Sequence, residues 1–234
     1  MGRLSRVLYD FYFKEGLRGY GSAYSELVGL IIAPMLRSDY NLLDIGCGMG
    51  YWVGFASQCV NYAIGIDVSL PLLRKAKSSI KNPNIDFIHA SWDALPFREE
   101  SFDVVIWFDG PEHAINPMHT LFNIGKVFKR YLFVSAPVST SVLILPEYLE
   151  AKLNRILALV LGKPFPGHIN AYTPMKLWTL VESSGLNVHA VQHEKPGVPR
   201  ISFFKQIILL LRGFLSGFRK KELYWNLLMC THEC

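Results

Sequence analysis

The sequence predicts an α/β domain built on a mostly parallel sheet with helices on both faces. Three observations carry this. Short apolar runs alternate with longer amphipathic ones through the middle of the chain, which is the pattern of repeated strand-helix units. One run, Phe102–Phe108, is apolar and β-branched almost throughout, as expected of a strand buried on both faces. A glycine-rich stretch follows the first apolar run directly, where a strand would turn into a helix.

Taken in order, Asn41–Ile45 reads as the first strand and Tyr51–Gln58 as the helix after it. Tyr62–Ile66 is the second strand, Pro71–Ser79 a helix and Ile85–His89 the third strand. Phe102–Phe108 is the fourth, followed by a helix over Pro117–Lys129 and a fifth strand over Tyr131–Ser135. Leu186–His193 and Leu223–Thr231 are the last strands. Three segments stand outside this alternation. Residues 1–37 predict helices, with Pro34 near a helix end. Residues 141–162 place Leu145, Leu149, Leu153, Ile156, Leu157 and Val160 at helical spacing. Residues 201–221 are a further apolar and basic helix.

Composition bounds the rest. With 234 residues, half of them hydrophobic, the chain can bury one sizeable core. It reads as a single domain over 1–234: an N-terminal helical lid (1–37), a ligand-binding core (38–137), a helical insertion (138–170) and a C-terminal part (171–234) that carries the helical insertion 201–221. The formal net charge is +5. Lys195, Arg200, Lys205, Arg212, Arg219, Lys220 and Lys221 concentrate it near the C-terminus. That stretch is either a solvated face or a helix lying on an anionic membrane surface. No nucleic-acid-binding motif accompanies it. The apolar run Ile207–Leu211 is too short to span a bilayer, and the N-terminus has no long apolar signal core. A cytoplasmic protein, soluble or peripheral to a membrane, is expected. Cys47, Cys59, Cys230 and Cys234 are too dispersed for a disulfide framework. Cys230-Thr-His-Glu-Cys234 offers only three soft ligands at a chain end, and no metal is expected.

The chemistry-bearing residues gather where open α/β sheets bind ligands, at the carboxyl ends of strands. In Asp44-Ile-Gly46-Cys47-Gly48-Met-Gly50 the glycines allow a sharp turn and close approach of a ligand. Asp67 ends the next strand, about 20 residues on, the spacing at which a carboxylate takes a ribose diol. Asp109, Glu112 and His113 follow the fourth strand, and His168 and Tyr172 come after the 141–162 segment.

These residues resemble a known family. Asp44-Ile-Gly-Cys-Gly-Met-Gly looks like motif I of class I S-adenosylmethionine (SAM)-dependent methyltransferases, and Gly65-Ile-Asp67-Val-Ser looks like their ribose-binding strand. Leu95-Pro-Phe97 and Ser101-Phe-Asp-Val-Val-Ile106 resemble the ubiquinone/menaquinone-biosynthesis-like (type 11) subgroup. So do Glu112-His113 and Gly167-His-Ile-Asn-Ala-Tyr-Thr173. The resemblance covers about residues 40–193, in motif order. It implies a Rossmann-like seven-stranded sheet of order 3-2-1-4-5-7-6, its last strand antiparallel, with helical lid insertions.

It also implies the site. Asp67 would take the ribose hydroxyls, and Gly46, Cys47, Gly48 and Gly50 would shape the pocket for the methionine end. Asp44 would order the loop or meet the amino group. Val68, Ser91, Trp92 and Asp93 would surround the adenine. Ser91 departs from the subgroup, which has Asp there; its hydroxyl accepts more weakly, and Asp93 can substitute. Phe108 is a wall of the cleft or sheet-end packing. Asp103 is read as ordering a strand start, and His89 as a strand-end residue. Asp109, Glu112, His113 and His168 are the candidates for handling the acceptor and its proton. The cofactor implied is SAM, with S-adenosylhomocysteine as product. The acceptor expected is a small molecule: lipid-like or isoprenoid-linked, as the apolar helices and the basic 201–221 stretch suggest, or a small polar metabolite or sugar precursor. Asp109-Gly-Pro111 stands where an amide-methylating enzyme would carry Pro-Pro-Tyr. Two other readings remain: a SAM-binding protein without catalysis, and an aminopropyl transferase on the same fold.

Overall fold

The computed structural model describes residues 31–139, 149, 151–156, 160, 168–194 and 223–232. Seven strands form one sheet: β1 (Asn41–Ile45), β2 (Tyr62–Asp67), β3 (Ile85–His89), β4 (Phe102–Phe108), β5 (Phe128–Ser139), β6 (Leu186–Glu194) and β7 (Leu223–His232). Their order is β3-β2-β1-β4-β5-β7-β6. The first five strands pair in parallel, and β7 is antiparallel to both β5 and β6. This is the sheet the resemblance implied. Four helices connect it: α1 (Tyr51–Ala56), α2 (Leu70–Ser79), α3 (Pro117–Val127) and α4 (Pro174–Glu182).

Alternation along the strands builds two apolar layers. Leu42, Val104, Ile106 and Phe108 face α1 and join Tyr51, Val53 and Phe55, with Leu73 of α2. Leu43, Ile45, Val105 and Trp107 face the other side and meet Leu121 and Ile124 of α3 and Leu177 and Val181 of α4. Every residue of β4 is buried, Asp103 included, in keeping with its almost wholly apolar run.

Several boundaries differ from the sequence reading: the helix expected over Tyr51–Gln58 ends at Ala56, and β2, β6 and β7 each run one residue further, to Asp67, Glu194 and His232. The helix expected to reach Lys129 ends at Val127, because Phe128 already pairs with Phe102 and is fully buried. Strand β5 runs to Ser139, since β7 provides an antiparallel partner from Leu132 through Ser139. Local periodicity could not reveal a partner so distant in sequence.

Asp103 orders the strand starts, as expected. Its carboxylate accepts from the Asn41 amide at 3.0 Å and from Arg130 Nε at 3.3 Å, linking β1, β4 and β5 at their amino ends. Residues 31–32 are helical and lead into a 3-10 turn at Ala33–Met35 containing Pro34. Ile32 and Leu36 pack on the α1 side of the sheet. Residues 1–30 of the expected N-terminal lid lie outside the described residues, as does the expected helix 201–221.

In the 141–162 segment, residues 149, 151–156 and 160 are described, and all are helical. Leu149, Leu153, Ile156 and Val160 of the apolar stripe are exposed, while Ala151 and Asn154 are buried. These four described residues of the stripe therefore do not pack on the sheet as those of an ordinary core helix would. No helix among the described residues is long and apolar enough to cross a membrane.

Candidate functional site

Strand β1 has β2 on one side and β4 on the other, so the strand order reverses at this point. A crevice forms at the carboxyl ends of strands where such a reversal occurs. The loop after β1 and the turn after β4 border it.

The loop after β1 is anchored to β2. The amides of Gly46 and Cys47 both donate to the Ile66 carbonyl, at 2.8 and 2.9 Å. The amide of Gly48 donates to Asp67 Oδ2 at 2.9 Å, and the amide of Ser69 to Asp67 Oδ1 at 2.7 Å. Two glycines are required by geometry. Gly50 has φ +80, and a Cβ there would stand 2.6 Å from the Phe87 ring. Gly48 has φ +53, and a Cβ there would project into open space. At Gly48 no side chain stands over the backbone, which leaves room for a ligand to lie against it. The sequence reading passed over a third glycine. A Cβ on Gly65 would meet Cys47 Sγ at 2.7 Å, so Gly65 lets the loop sit tightly on β2.

A pocket of about 200 Å³ opens between this loop and the end of β4, lined by Asp44, Gly46, Cys47, Met49, Tyr51, Trp52, Phe108, Asp109 and His113. Five of the implied or candidate residues outside the glycines therefore meet in one cavity: Asp44, Cys47, Phe108, Asp109 and His113. Met49, Tyr51 and Trp52 were not singled out in the sequence. Their only signal was position: Met49 within the glycine motif, Tyr51 and Trp52 at the start of the helix that follows it. Trp52 stacks edge to face on Phe108, 5.2 Å between ring centroids, which makes Phe108 a pocket wall as well as core. A second depression, of about 430 Å³, runs along β3 and the end of α2, and none of the candidate residues lines it.

Asp44 is 2% exposed, and its Oδ2 has no hydrogen-bond partner among the described residues. Burial, reinforced by the negative charge of Asp67, pushes its carboxyl up to about 8. An unpaired buried carboxylate oxygen at a pocket wall suits a cationic group. Cys47 is buried too, and desolvation raises its thiol well above the ordinary range.

On the β2 side of the crevice, Val68 is 55% exposed although apolar. His89 bonds the Val68 carbonyl through Nε2 at 3.0 Å, in keeping with a strand-end role. Trp92 lies against Gly46 and stands edge to face with Trp107. Ser91 Oγ accepts from the Asp93 amide at 3.2 Å. Asp93 Oδ1 in turn accepts from the Thr120 hydroxyl at 3.1 Å, tying this loop to α3.

The turn after β4 is shaped by Asp109, which adopts φ +50, a backbone region uncommon outside glycine. Its amide donates to the Ser135 carbonyl at 3.0 Å, and the Ser135 hydroxyl approaches its Oδ1 at 3.4 Å. Desolvation pushes its carboxyl up to about 7. Gly110 must be glycine, because a Cβ would fall on the Trp107 indole nitrogen. Glu112 is 1% exposed, and its Oε2 has no partner among the described residues. Burial, with Asp109 adding, raises its carboxyl well above the usual range.

Residues 168–172 are latched onto this turn. The Glu112 carbonyl accepts from the amides of Ile169 and Asn170, at 2.8 and 3.1 Å. The Asn170 side chain donates to the carbonyls of Pro111 (3.0 Å) and Ala114 (2.7 Å), and the Tyr172 hydroxyl to Pro111 (3.1 Å). His168 consequently sits beside His113, 5.1 Å between ring centroids, without lining the pocket itself. Asn170 had been quoted only as part of a motif; its latching role has no local signature.

Known proteins share this arrangement. A family model described as a methyltransferase domain matches residues 42–130, the span from β1 through the start of β5. Over that span the chain is similar to methyltransferases, and its sheet has the strand order of the class I SAM-dependent methyltransferase fold. Among its relatives, the demethylmenaquinone methyltransferase of Lactococcus lactis is 35% identical over 95 residues, covering 38% of each chain. An uncharacterized protein of Methanocaldococcus jannaschii is 28% identical over 152 residues, 63% of this chain and 58% of that one. The crystal structure of YcgJ from Bacillus subtilis superposes with a TM-score of 0.66 at 18% identity, over 90% of this chain and all of that one. The last likeness establishes the methyltransferase fold. The chain spans 38 to 58% of the length of the first three curated relatives it matches.

Proposed function

We propose that this chain transfers a methyl group from SAM to a small-molecule acceptor and releases S-adenosylhomocysteine. The observation that carries the reading is the pairing of the bare Gly48 backbone with Asp67 on one side and the unpartnered Asp44 carboxylate on the other. Each Asp67 oxygen accepts one backbone amide and keeps a lone pair for a ribose hydroxyl. Asp44 Oδ2 suits the ammonium of the methionine end. Exposed Val68 and the Trp92 ring offer apolar flanks for the adenine, with Ser91 and Asp93 as polar contacts at its edge. Gly46, Cys47 and Gly50 give the loop its course, and Phe108 closes the pocket beneath.

SAM supplies the electrophilic methyl on a sulfonium; the protein must align the acceptor, exclude water and accept a proton. Asp109 and His113 line the pocket at the end of β4, where an acceptor would enter. With its carboxyl near 7, Asp109 can exchange a proton around neutrality. Glu112 and His168 stand behind and beside His113 and hold its surroundings. A lipid-like acceptor is supported by the exposed stripe of Leu149, Leu153 and Ile156. Contact of the basic 201–221 stretch with an anionic membrane accompanies that reading, and salt-sensitive sedimentation with anionic liposomes tests it.

Calorimetry with SAM, S-adenosylhomocysteine and NAD tests the cofactor. Only the first two are expected to bind. Incubation with SAM and fractionated metabolite extracts, read out as S-adenosylhomocysteine, tests transfer. Failure to bind SAM would overturn the proposal. Binding without turnover on any fraction would favour a non-catalytic SAM-binding protein.

A further inference from the structure

We propose that Glu112, His113 and His168 bind a divalent first-row transition-metal ion at the acceptor end of the cleft. This departs from the sequence reading, which expected no metal. One ligand atom from each of the three side chains can be chosen so that all lie within 4.8 Å of one another. Donors on a tetrahedral ion with bonds of about 2.0–2.1 Å stand roughly 3.4 Å apart, so modest rotation of the exposed His168 closes the site.

A second observation points to a cation independently. Glu112 is almost wholly buried, and its Oε2 lacks a partner among the described residues. A carboxylate in that position is costly unless a cation compensates it.

The site is also held in register before any ion arrives. Two backbone hydrogen bonds to the Glu112 carbonyl, together with the Asn170 amide, fix His168 against the Glu112-His113 turn. Orienting contacts of this kind are what metal ligands need around them. Two imidazoles and one carboxylate select zinc, manganese, iron, cobalt or nickel over magnesium and calcium, which prefer oxygen alone. Three protein ligands leave at least one coordination position open, as in catalytic rather than structural sites. Because His113 lines the pocket, that position faces the cleft.

The consequence for the proposed methyl transfer concerns the acceptor class, and it rests on that reading. An acceptor carrying a hydroxyl or enol oxygen would occupy the open position. Coordination lowers its pKa, and its proton passes to solvent. The oxygen lone pair then forms the O–CH₃ bond while the C–S bond breaks, its electron pair remaining on sulfur.

Cobalt(II) is the probe, titrated into the chelator-treated full chain and followed by visible d–d absorption and calorimetry. One ion per chain is expected. Loss of an orienting group costs 10–100-fold in metal affinity, so Glu112→Gln and His168→Ala should each weaken binding by at least about tenfold. His168 is exposed, so its variant tests the site even if Glu112→Gln fails to fold. Absence of saturable one-to-one binding would overturn the proposal, as would affinity unchanged in His168→Ala. A thiolate-to-cobalt band in the near ultraviolet would assign the ion to cysteine and overturn it equally. SAM affinity is measured on the same samples. Cobalt binding lost with SAM binding retained sinks the metal site alone, and the reverse result sinks the methyltransferase reading alone.

Discussion

Asp67 accepts the Gly48 amide at 2.9 Å, so the acid that ends the second strand also clamps the glycine loop that follows the first. One side chain thereby sets the shape of the loop and presents a carboxylate to the crevice. Asp67→Ala removes a charged acceptor from two amides and from the cofactor. SAM affinity is expected to fall by about 1–3 kcal/mol, as for loss of a hydrogen bond to a charged group. Calorimetry giving an unchanged dissociation constant would remove Asp67 from the ribose role.

The carboxyl of Asp44 supplies a pH dependence. Its folded value is raised from 3.8 to about 8, first by burial and then by Asp67. Between those limits the folded state without cofactor binds one more proton than the unfolded chain, so stability falls as pH rises through the window and levels off above about 8. Asp44→Asn should flatten that slope in denaturant titrations at pH 5 and pH 8. Cationic SAM favours the ionised form. Binding near pH 7 is therefore expected to release a proton, seen as a buffer-dependent calorimetric enthalpy that disappears in the Asn variant.

Gly50 combines φ +80 with a would-be Cβ 2.6 Å from the Phe87 ring. Gly50→Ala must both adopt a left-handed backbone, costing roughly 1–2 kcal/mol, and displace the ring. The expected result is a lower Tm together with weakened SAM binding. A variant that melts like the parent would mean that the loop relaxes freely and is not held by β3.

Asn170 donates to two backbone carbonyls of the turn after β4. Asn170→Ala leaves the Ala114 carbonyl short of a donor, at a cost of about 1–3 kcal/mol if it stays dry, while the Pro111 carbonyl keeps the Tyr172 hydroxyl. Hydrogen exchange should accelerate at Ile169 and Asn170, whose amides are bonded to Glu112. Protection unchanged at both amides would show that the backbone pair holds the latch without the side chain.

Much of this architecture was determined by the sequence itself. Five parallel strands and their helices were legible because a strand buried on both faces must be largely apolar, as Phe102–Phe108 is apart from Asp103, and because a helix on the sheet must repeat its apolar face. The glycine loop and Asp67 were legible because backbone turns and strand ends constrain residue type locally. The antiparallel seventh strand was reached through family resemblance, and it proved correct. What only the tertiary structure decided was the meeting of parts distant along the chain. His113 and His168 become neighbours through hydrogen bonds from the amides of Ile169 and Asn170 to the carbonyl of Glu112, groups that almost any residue could supply, so composition carries no trace of them. Asp44 and Glu112 are ordinary acids in the sequence; they become chemically distinctive only when the surrounding fold removes water and leaves one oxygen of each without a partner among the described residues.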